Sequence, residues 1–199
     1  MIYSFLQNGD SAVTVQFKNE ISEEVNRRVT GLCNRIEAKH IDGIVELVPT
    51  FASLTVFYDC TIISSKKLKK KVEALINGKE CDVKSTAKVW NIPVCYDDEF
   101  ALDMKNVCSH TTLEREEVIK LHTSKPYLIY MLGFLPGFAY LGGMDERLFT
   151  PRLKTPRLEI FEGAVGIGGE QTGIYPIASP GGWQLIGETP VKVFDKSKK

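Results

Sequence analysis

The 199 residues carry 25 Lys and Arg against 25 Asp and Glu, so no net field draws the chain to nucleic acid or an anionic membrane, and binding must come from a local site. The length allows one large domain or two small ones, and nowhere do eighteen apolar residues run together. Cys33, Cys60, Cys81, Cys95 and Cys108 are odd in number and include no C-x-x-C pair, which suits reduced, mostly buried thiols rather than a disulfide or zinc framework.

The opening MIYSFLQNGD has no basic flank and no small-residue cleavage site, so a soluble, cytoplasmic protein is expected. Apolar residues alternate over Ala12–Phe17, which predicts a strand. Ser22 then caps a helix whose buried stripe is Val25, Val29, Leu32 and Ile36, with His40 following it. Ile44–Val48 and Leu54, Val56 and Tyr58 read as two strands joined by a short turn at Pro49-Thr50-Phe51. A second helix puts Leu68, Val72, Leu75 and Ile76 on one face and ends at Asn77-Gly78. Its Lys66, Lys67, Lys69, Lys70 and Lys71 have no interleaved aromatic and share the helix with Glu73, so they read as a solvated face and not as a nucleic-acid contact. Strand, helix, hairpin, helix, strand is the order of a split βαβ, or ferredoxin-like, layer over residues 1–85.

Over residues 98–124, Met104, Val107 and Cys108 form one helical set, and Thr111 with Glu114 reads as a capping box before Val118 and Leu121. Glu114, Glu116 and Glu117 would repel phosphate, so the helical pair reads as structural packing. His122 ends the second helix, where an imidazolium complements the helix dipole; His110 and His40 read as structural.

From Tyr127 the composition changes. Residues 126–190 hold twelve of the sixteen glycines and seven of the nine prolines, between short runs such as YLIYML, LEIF, WQLI and VKVF, a pattern of a β-barrel or sandwich. The domain boundary therefore falls between about Asp82 and Tyr96, with the helical pair attached to a second domain of residues 86–199.

Candidate chemistry lies in this second half. Glycine alternates with large rings through Gly133, Phe134, Pro136, Gly137, Phe138 and Tyr140, either for tight turns or to place rings beside bare backbone as a pocket wall requires. Gly168, Gly169 and Gly173 offer amide N–H groups, Glu170, Gln171 and Thr172 polar heads, and the turn Pro180-Gly181-Gly182 delivers Trp183 and Gln184 to a strand. That set suits a small ligand bearing an amide or carboxylate, or a developing oxyanion. Arg152, Lys154 and Arg157 in TPRLKTPR either grip an anion or belong to a solvated loop. No phosphate-binding glycine motif, Ser-His-Asp order, H-E-x-x-H or pair of metal-type ligands is visible, so no metal is expected.

The strings GFLPGFAYLGGMDERLFTPRLKTPR, GGEQTGIYP and SPGGWQLIG, with PVCYDDEF and SHTTLEREEVIKLH upstream, resemble the bacterial family of allophanate hydrolase subunit 1, also called the 5-oxoprolinase B subunits, which includes the sporulation-kinase inhibitor KipI. The likeness runs from about Pro93 to Thr189. It implies a ferredoxin-like N-terminal domain followed by a cyclophilin-like β-barrel. It also implies two partners, a homologous barrel protein (PxpC-like) and a LamB/YcsF-type protein (PxpA-like). With them 5-oxoproline is opened to glutamate at the expense of ATP, the chain being inactive alone. By motif match Gly169, Gln171, Thr172, Tyr175, Ser179, Trp183 and Gln184 become binding-site candidates, with Arg157 a phosphate contact. The alternatives the family carries are inhibition of a histidine kinase and a subunit of an allophanate hydrolase. Asp97 and Asp98 stand where the family usually has glycine after Cys-Tyr. Family members usually continue past VFDKSKK, so either the barrel closes differently or its last strands are missing.

Overall fold

Residues 3–76 and 88–197 are described by the computed structural model, in two units, Met1–Ala87 and Lys88–Lys199. The first unit opens with a hairpin of β1 (Ser4–Asn8) and β2 (Ala12–Gln16), turned at Gly9, whose φ of +60° is costly for any side chain but glycine. The sequence pattern shows β2 but not β1, whose residues are mostly exposed and therefore lack apolar alternation.

Helix α1 (Glu23–Lys39) starts where expected: the Val25 amide donates to Ser22 Oγ at 3.3 Å, and Glu23 and Glu24 complement the N-terminal dipole. It buries Val25, Val29, Leu32 and Ile36 and stops at His40, which takes a left-handed conformation. Strands β3 (Ile44–Pro49) and β4 (Ser53–Tyr58) form the expected hairpin, and α2 (Ser65–Ile76) buries Leu68, Val72 and Ile76 with its lysines turned outward. The sheet is antiparallel in the order β1-β2-β4-β3, so β2, α1 and β3 form a βαβ unit split by β4. Each fully buried Leu or Val beneath the helices contributes about 1.5–3 kcal/mol. The expected helix end at Asn77-Gly78, the strand expected after it and Cys81 lie outside the described residues.

In the second unit α3 (Met104–Thr111) ends at Thr112 with φ +58°, and α4 (Arg115–His122) follows. The capping box differs from the expected Thr111–Glu114 pair. Glu114 is the N-cap and its amide donates to Glu117 Oε2 at 3.0 Å, whereas the Thr111 hydroxyl donates back to the Val107 carbonyl at 2.8 Å. The left-handed Thr112 ends α3 and forces this offset.

The strands are β5 (Leu128–Leu132), β6 (Ala139–Gly142), β7 (Arg157–Ile160), β8 (Ala164–Gly168), β9 (Gln171–Ile174), β10 (Ser179–Gly181) and β11 (Gln184–Glu188). Five form an antiparallel sheet in the order β11-β8-β9-β6-β5, and β7 pairs with β10 alone. Among the described residues the expected barrel is not closed. Pro180 lacks an N–H within β10 and the β7–β10 register shifts there, so this two-stranded ribbon does not extend into a neighbouring ladder. On one face of the large sheet Val165, Ile167 and Ile186 pack against Met104, Val107, Val118 and Leu148 from the helical side. The other face carries Phe138, Ile160, Tyr175, Trp183 and Leu185. No described helix is long and apolar enough to cross a membrane.

Candidate functional site

The alternation of glycine with aromatics has a packing cause. The Trp183 indole lies on β8 and β9, where a Cβ at Gly168 would stand 2.5 Å from its Nε1 and one at Gly173 3.1 Å from its Cζ3. Phe138 meets Tyr140, Tyr175 and Trp183 edge-on, with ring centroids 4.8–5.5 Å apart. Phe138, Tyr175 and Trp183 are therefore core; for Phe138 this corrects the reading as a pocket wall, since the bare backbone accommodates an indole of the same chain. Tyr140 is half-buried at the edge of the cluster, and Arg152 stands 5.7 Å from the Trp183 ring. Burial pushes the Tyr140 and Tyr175 hydroxyls up from the usual tyrosine range.

The expected amide cradle is also occupied from within. The Gly169 amide donates to the Thr150 carbonyl at 2.8 Å, and Gly173 sits in the β8–β9 ladder opposite Gly166. Thr172 Oγ1 donates to the Gly166 carbonyl at 3.0 Å and lies 2.9 Å from His122 Nε2. With its proton committed to Gly166, the hydroxyl accepts from Nε2–H, while His122 Nδ1 accepts from the Tyr96 hydroxyl at 2.8 Å. Burial brings His122 down to about 4 and pushes Tyr96 up to about 12. His122 is thus a neutral, buried bridge between α4 and β9, which corrects its expected role as a charged helix cap: the ring turns inward from the helix end.

Arg157 is drawn inward as well. Its Nη2 donates to Asp103 Oδ1 at 2.7 Å, and Asp103 Oδ2 accepts the Leu185 amide at 2.7 Å. The Asp103 amide returns a bond to the Leu185 carbonyl at 2.8 Å, so one buried carboxylate ties α3, β7 and β11 together. The sequence pattern does not single out Asp103; its place immediately before an apolar helical set is the available signal.

Among the described residues, four buried side-chain atoms have no hydrogen-bond partner: Arg157 Nη1, Gln171 Nε2, Ser179 Oγ and Gln184 Oε1. Buried polar groups are nearly always paired, so such atoms call for a physical cause. Arg157 and Gln184 flank the start of β11, where Gln184 Nε2 donates to the Pro151 carbonyl at 2.9 Å and the Leu153 amide donates to the Gly182 carbonyl at 2.7 Å. Those two bonds lay the segment 151–156 along the strand, with Arg152 and Lys154 exposed. Gln171 projects from β9 opposite Gly168, and Ser179 pairs with Ile160 across the ribbon.

The remaining expected residues lie in the β5–β6 connection. Gly133 and Gly137 are half-buried there and Phe134 and Pro136 exposed, and a Cβ at Gly137 would meet the Phe194 side chain at 2.7 Å. Among the described residues no group of His, Cys, Asp and Glu is disposed to hold a metal ion, and Cys33, Cys60, Cys95 and Cys108 are free thiols, Cys60 being exposed.

Known proteins share this architecture. The family described as carboxyltransferase domain, subdomain C and D, matches residues 3–199. The 5-oxoprolinase B subunit of Bacillus subtilis is 45% identical over 96% of this chain and 84% of its own length. That of Haemophilus influenzae is 39% identical over 95% of this chain and 87% of its own. The crystal structure of TTHA0988 superposes with a TM-score of 0.81 at 34% identity over 94% of this chain, and the match spans 37% of that chain. The chain belongs to the carboxyltransferase-domain family of subdomains C and D, together with the bacterial 5-oxoprolinase B subunits.

Proposed function

We propose that this chain is the B-type component of an ATP-dependent 5-oxoprolinase, which opens 5-oxoproline to L-glutamate together with partner subunits and is inactive alone. The observation that carries the reading is the 45% identity with the Bacillus subtilis protein across nearly all of this chain and most of that one. In this reading the first unit is a ferredoxin-like layer, which the βαβ unit split by β4 supports, and the second a cyclophilin-like barrel. The protein works in the cytoplasm.

A lactam resists water because its amide is resonance-stabilised, and ATP supplies the activation of the carbonyl oxygen. What this chain offers is hydrogen-bonding capacity. Arg157 Nη1 and Gln171 Nε2 are donors, Gln184 Oε1 is an acceptor and Ser179 Oγ is both. A lactam acid presents a carbonyl oxygen and a carboxylate that accept and a ring N–H that donates, matching these groups in kind. A donor held ready for developing oxyanion charge contributes a few kcal/mol to a preorganised site. Gly169, Thr172, Tyr175 and Trp183 support these groups through the strands and the aromatic layer beneath them.

The chain fits ATP only in part. The turn at Gly168-Gly169 joins two strands instead of opening a helix, so it makes no phosphate loop, and the exposed Arg152 and Lys154 are two cations this half of the chain offers to phosphate. The nucleotide site is therefore shared with the homologous barrel protein, and a LamB/YcsF-type protein completes the enzyme. The test is ATP-dependent glutamate release by the purified chain with and without these partners; no gain on their addition refutes the proposal.

A further inference from the structure

The unpartnered buried atoms of Arg157 and Gln184 are opposite in kind, Nη1 a donor and Oε1 an acceptor. Gln184 is 7% exposed, so its oxygen is nearly shut off from water, where an unmade hydrogen bond is most unfavourable. The other end of each side chain is fixed: Arg157 Nη2 donates to Asp103 Oδ1 at 2.7 Å, and Gln184 Nε2 donates to the Pro151 carbonyl at 2.9 Å. Turning the carboxamide over would set its oxygen against the Pro151 carbonyl, so Oε1 is held facing away from that bond.

Both residues belong to one place in the fold. The Asp103 carboxylate holds Arg157 with one oxygen and, with the other, accepts the amide of Leu185, the residue after Gln184, at 2.7 Å. Arg157 also lies opposite Gly181 in the β7–β10 ribbon, three residues before Gln184. Its side chain is 28% exposed, so solvent reaches the guanidinium at this end of β11.

A donor and an acceptor at one place complement an amide only when that amide shows its carbonyl oxygen and its N–H on the same side. A five-membered lactam does so, because the ring holds its amide cis. An open-chain secondary amide, the peptide bond included, is trans and turns the two groups to opposite sides. We infer that Arg157 Nη1 and Gln184 Oε1 together read the cis-amide edge of the substrate, Nη1 donating to the carbonyl oxygen and Oε1 accepting the ring N–H. The pair thereby restricts the site to lactams and other amides that carry an N–H beside the carbonyl oxygen. Asp103 is a positioning residue that acts through Arg157. This deepens the reading of the chain as the B-type component of a 5-oxoprolinase and rests on it.

The experiment uses the full chain reconstituted with the other 5-oxoprolinase subunits, and titration calorimetry in the presence of a non-hydrolysable ATP analogue. Three compounds are compared: 5-oxoproline; N-acetylalanine, which has the same polar groups on an opened ring and a trans amide; and 3-oxocyclopentane-1-carboxylate, which keeps the ring and the carbonyl but has CH2 in place of N–H. Wild type is expected to bind 5-oxoproline about 50-fold or more tighter than N-acetylalanine, the factor by which secondary amides favour trans. It should bind 5-oxoproline about tenfold or more tighter than the ketone, which leaves the Gln184 oxygen unpaired. In Gln184→Met, with folding checked by thermal melting, the preference over the ketone should fall below about threefold, because no acceptor remains for the N–H. Equal affinity of wild type for 5-oxoproline and either comparator, a preference over the ketone that does not shrink in Gln184→Met, or loss of all three compounds from that variant overturns the cis-amide edge and leaves the functional reading standing. A reconstituted wild type that releases no glutamate from 5-oxoproline and ATP overturns both.

Discussion

The indole of Trp183 rests on the main chain of Gly168, where a Cβ would stand 2.5 Å from its Nε1. The cluster cannot shift freely, because Phe138 and Tyr140 hold the indole from other sides. Gly168→Ala is expected to cost about 1–3 kcal/mol by overpacking. Gly31→Ala, on α1, should behave oppositely: its Cβ meets only the flexible end of Arg35 at 3.3 Å, and the helix gains about 0.5–1 kcal/mol over glycine. Guanidinium unfolding of both variants checks the pair, and equal effects would contradict the packing described.

Asp103 serves three elements, so its loss should be severe. Asp103→Ala leaves Arg157 without its counter-charge and the Leu185 amide without an acceptor; about 3 kcal/mol is expected, at the low end for a buried pair because the Arg157 side chain is 28% exposed. Asp103→Leu combined with Arg157→Met should cost less than the sum of the two single changes, which a double-mutant cycle by denaturant unfolding measures.

His122 makes stability depend on pH in a defined direction. Its folded value, about 4, lies below the unfolded 6.5, so the unfolded chain binds the extra proton first. The contribution of neutral His122 is fully present above about pH 6.5 and is lost as pH falls through 4, by up to about 3 kcal/mol. The groups facing it are the Tyr96 hydroxyl, Thr172 and the Tyr127 ring, none of which carries charge there to offset the proton. The difference in unfolding free energy between wild type and His122→Asn should narrow from pH 7 to pH 4; a constant difference would rule the assignment out.

Gln171 offers a test that separates stability from activity. Its Nε2 is buried without a partner, so Gln171→Leu removes an unsatisfied donor and should leave the melting temperature unchanged or raised. In the reconstituted enzyme the same change should lower kcat for glutamate release at least tenfold. A destabilised variant with wild-type turnover would mean that the carboxamide serves packing alone.

The N-terminal unit is largely legible because its signals are local. The Ser22 cap, the α1 stripe and the β3–β4 hairpin are each written within a few residues, whereas β1 is exposed on most of its length and leaves no periodic trace. In the second unit the same patterns locate the important segments but not what they contact. Glycine beside an aromatic reports close approach to backbone, and sequence does not say whether the approaching group is a ligand or Trp183. His122 resembles a helix cap because position along a helix is legible and direction relative to the sheet is not. Arg157 stands out for its charge, but its partner lies 54 residues away, beyond the reach of any local pattern.

The two tryptophans report on opposite surroundings. Trp90 is 68% exposed and Trp183 4% exposed. Native emission should therefore be a sum of a long-wavelength component quenched readily by acrylamide and a short-wavelength component shielded from it. Loosening of the glycine-floored layer would register as a red shift of the shielded component alone, giving an optical readout of that layer without any added label.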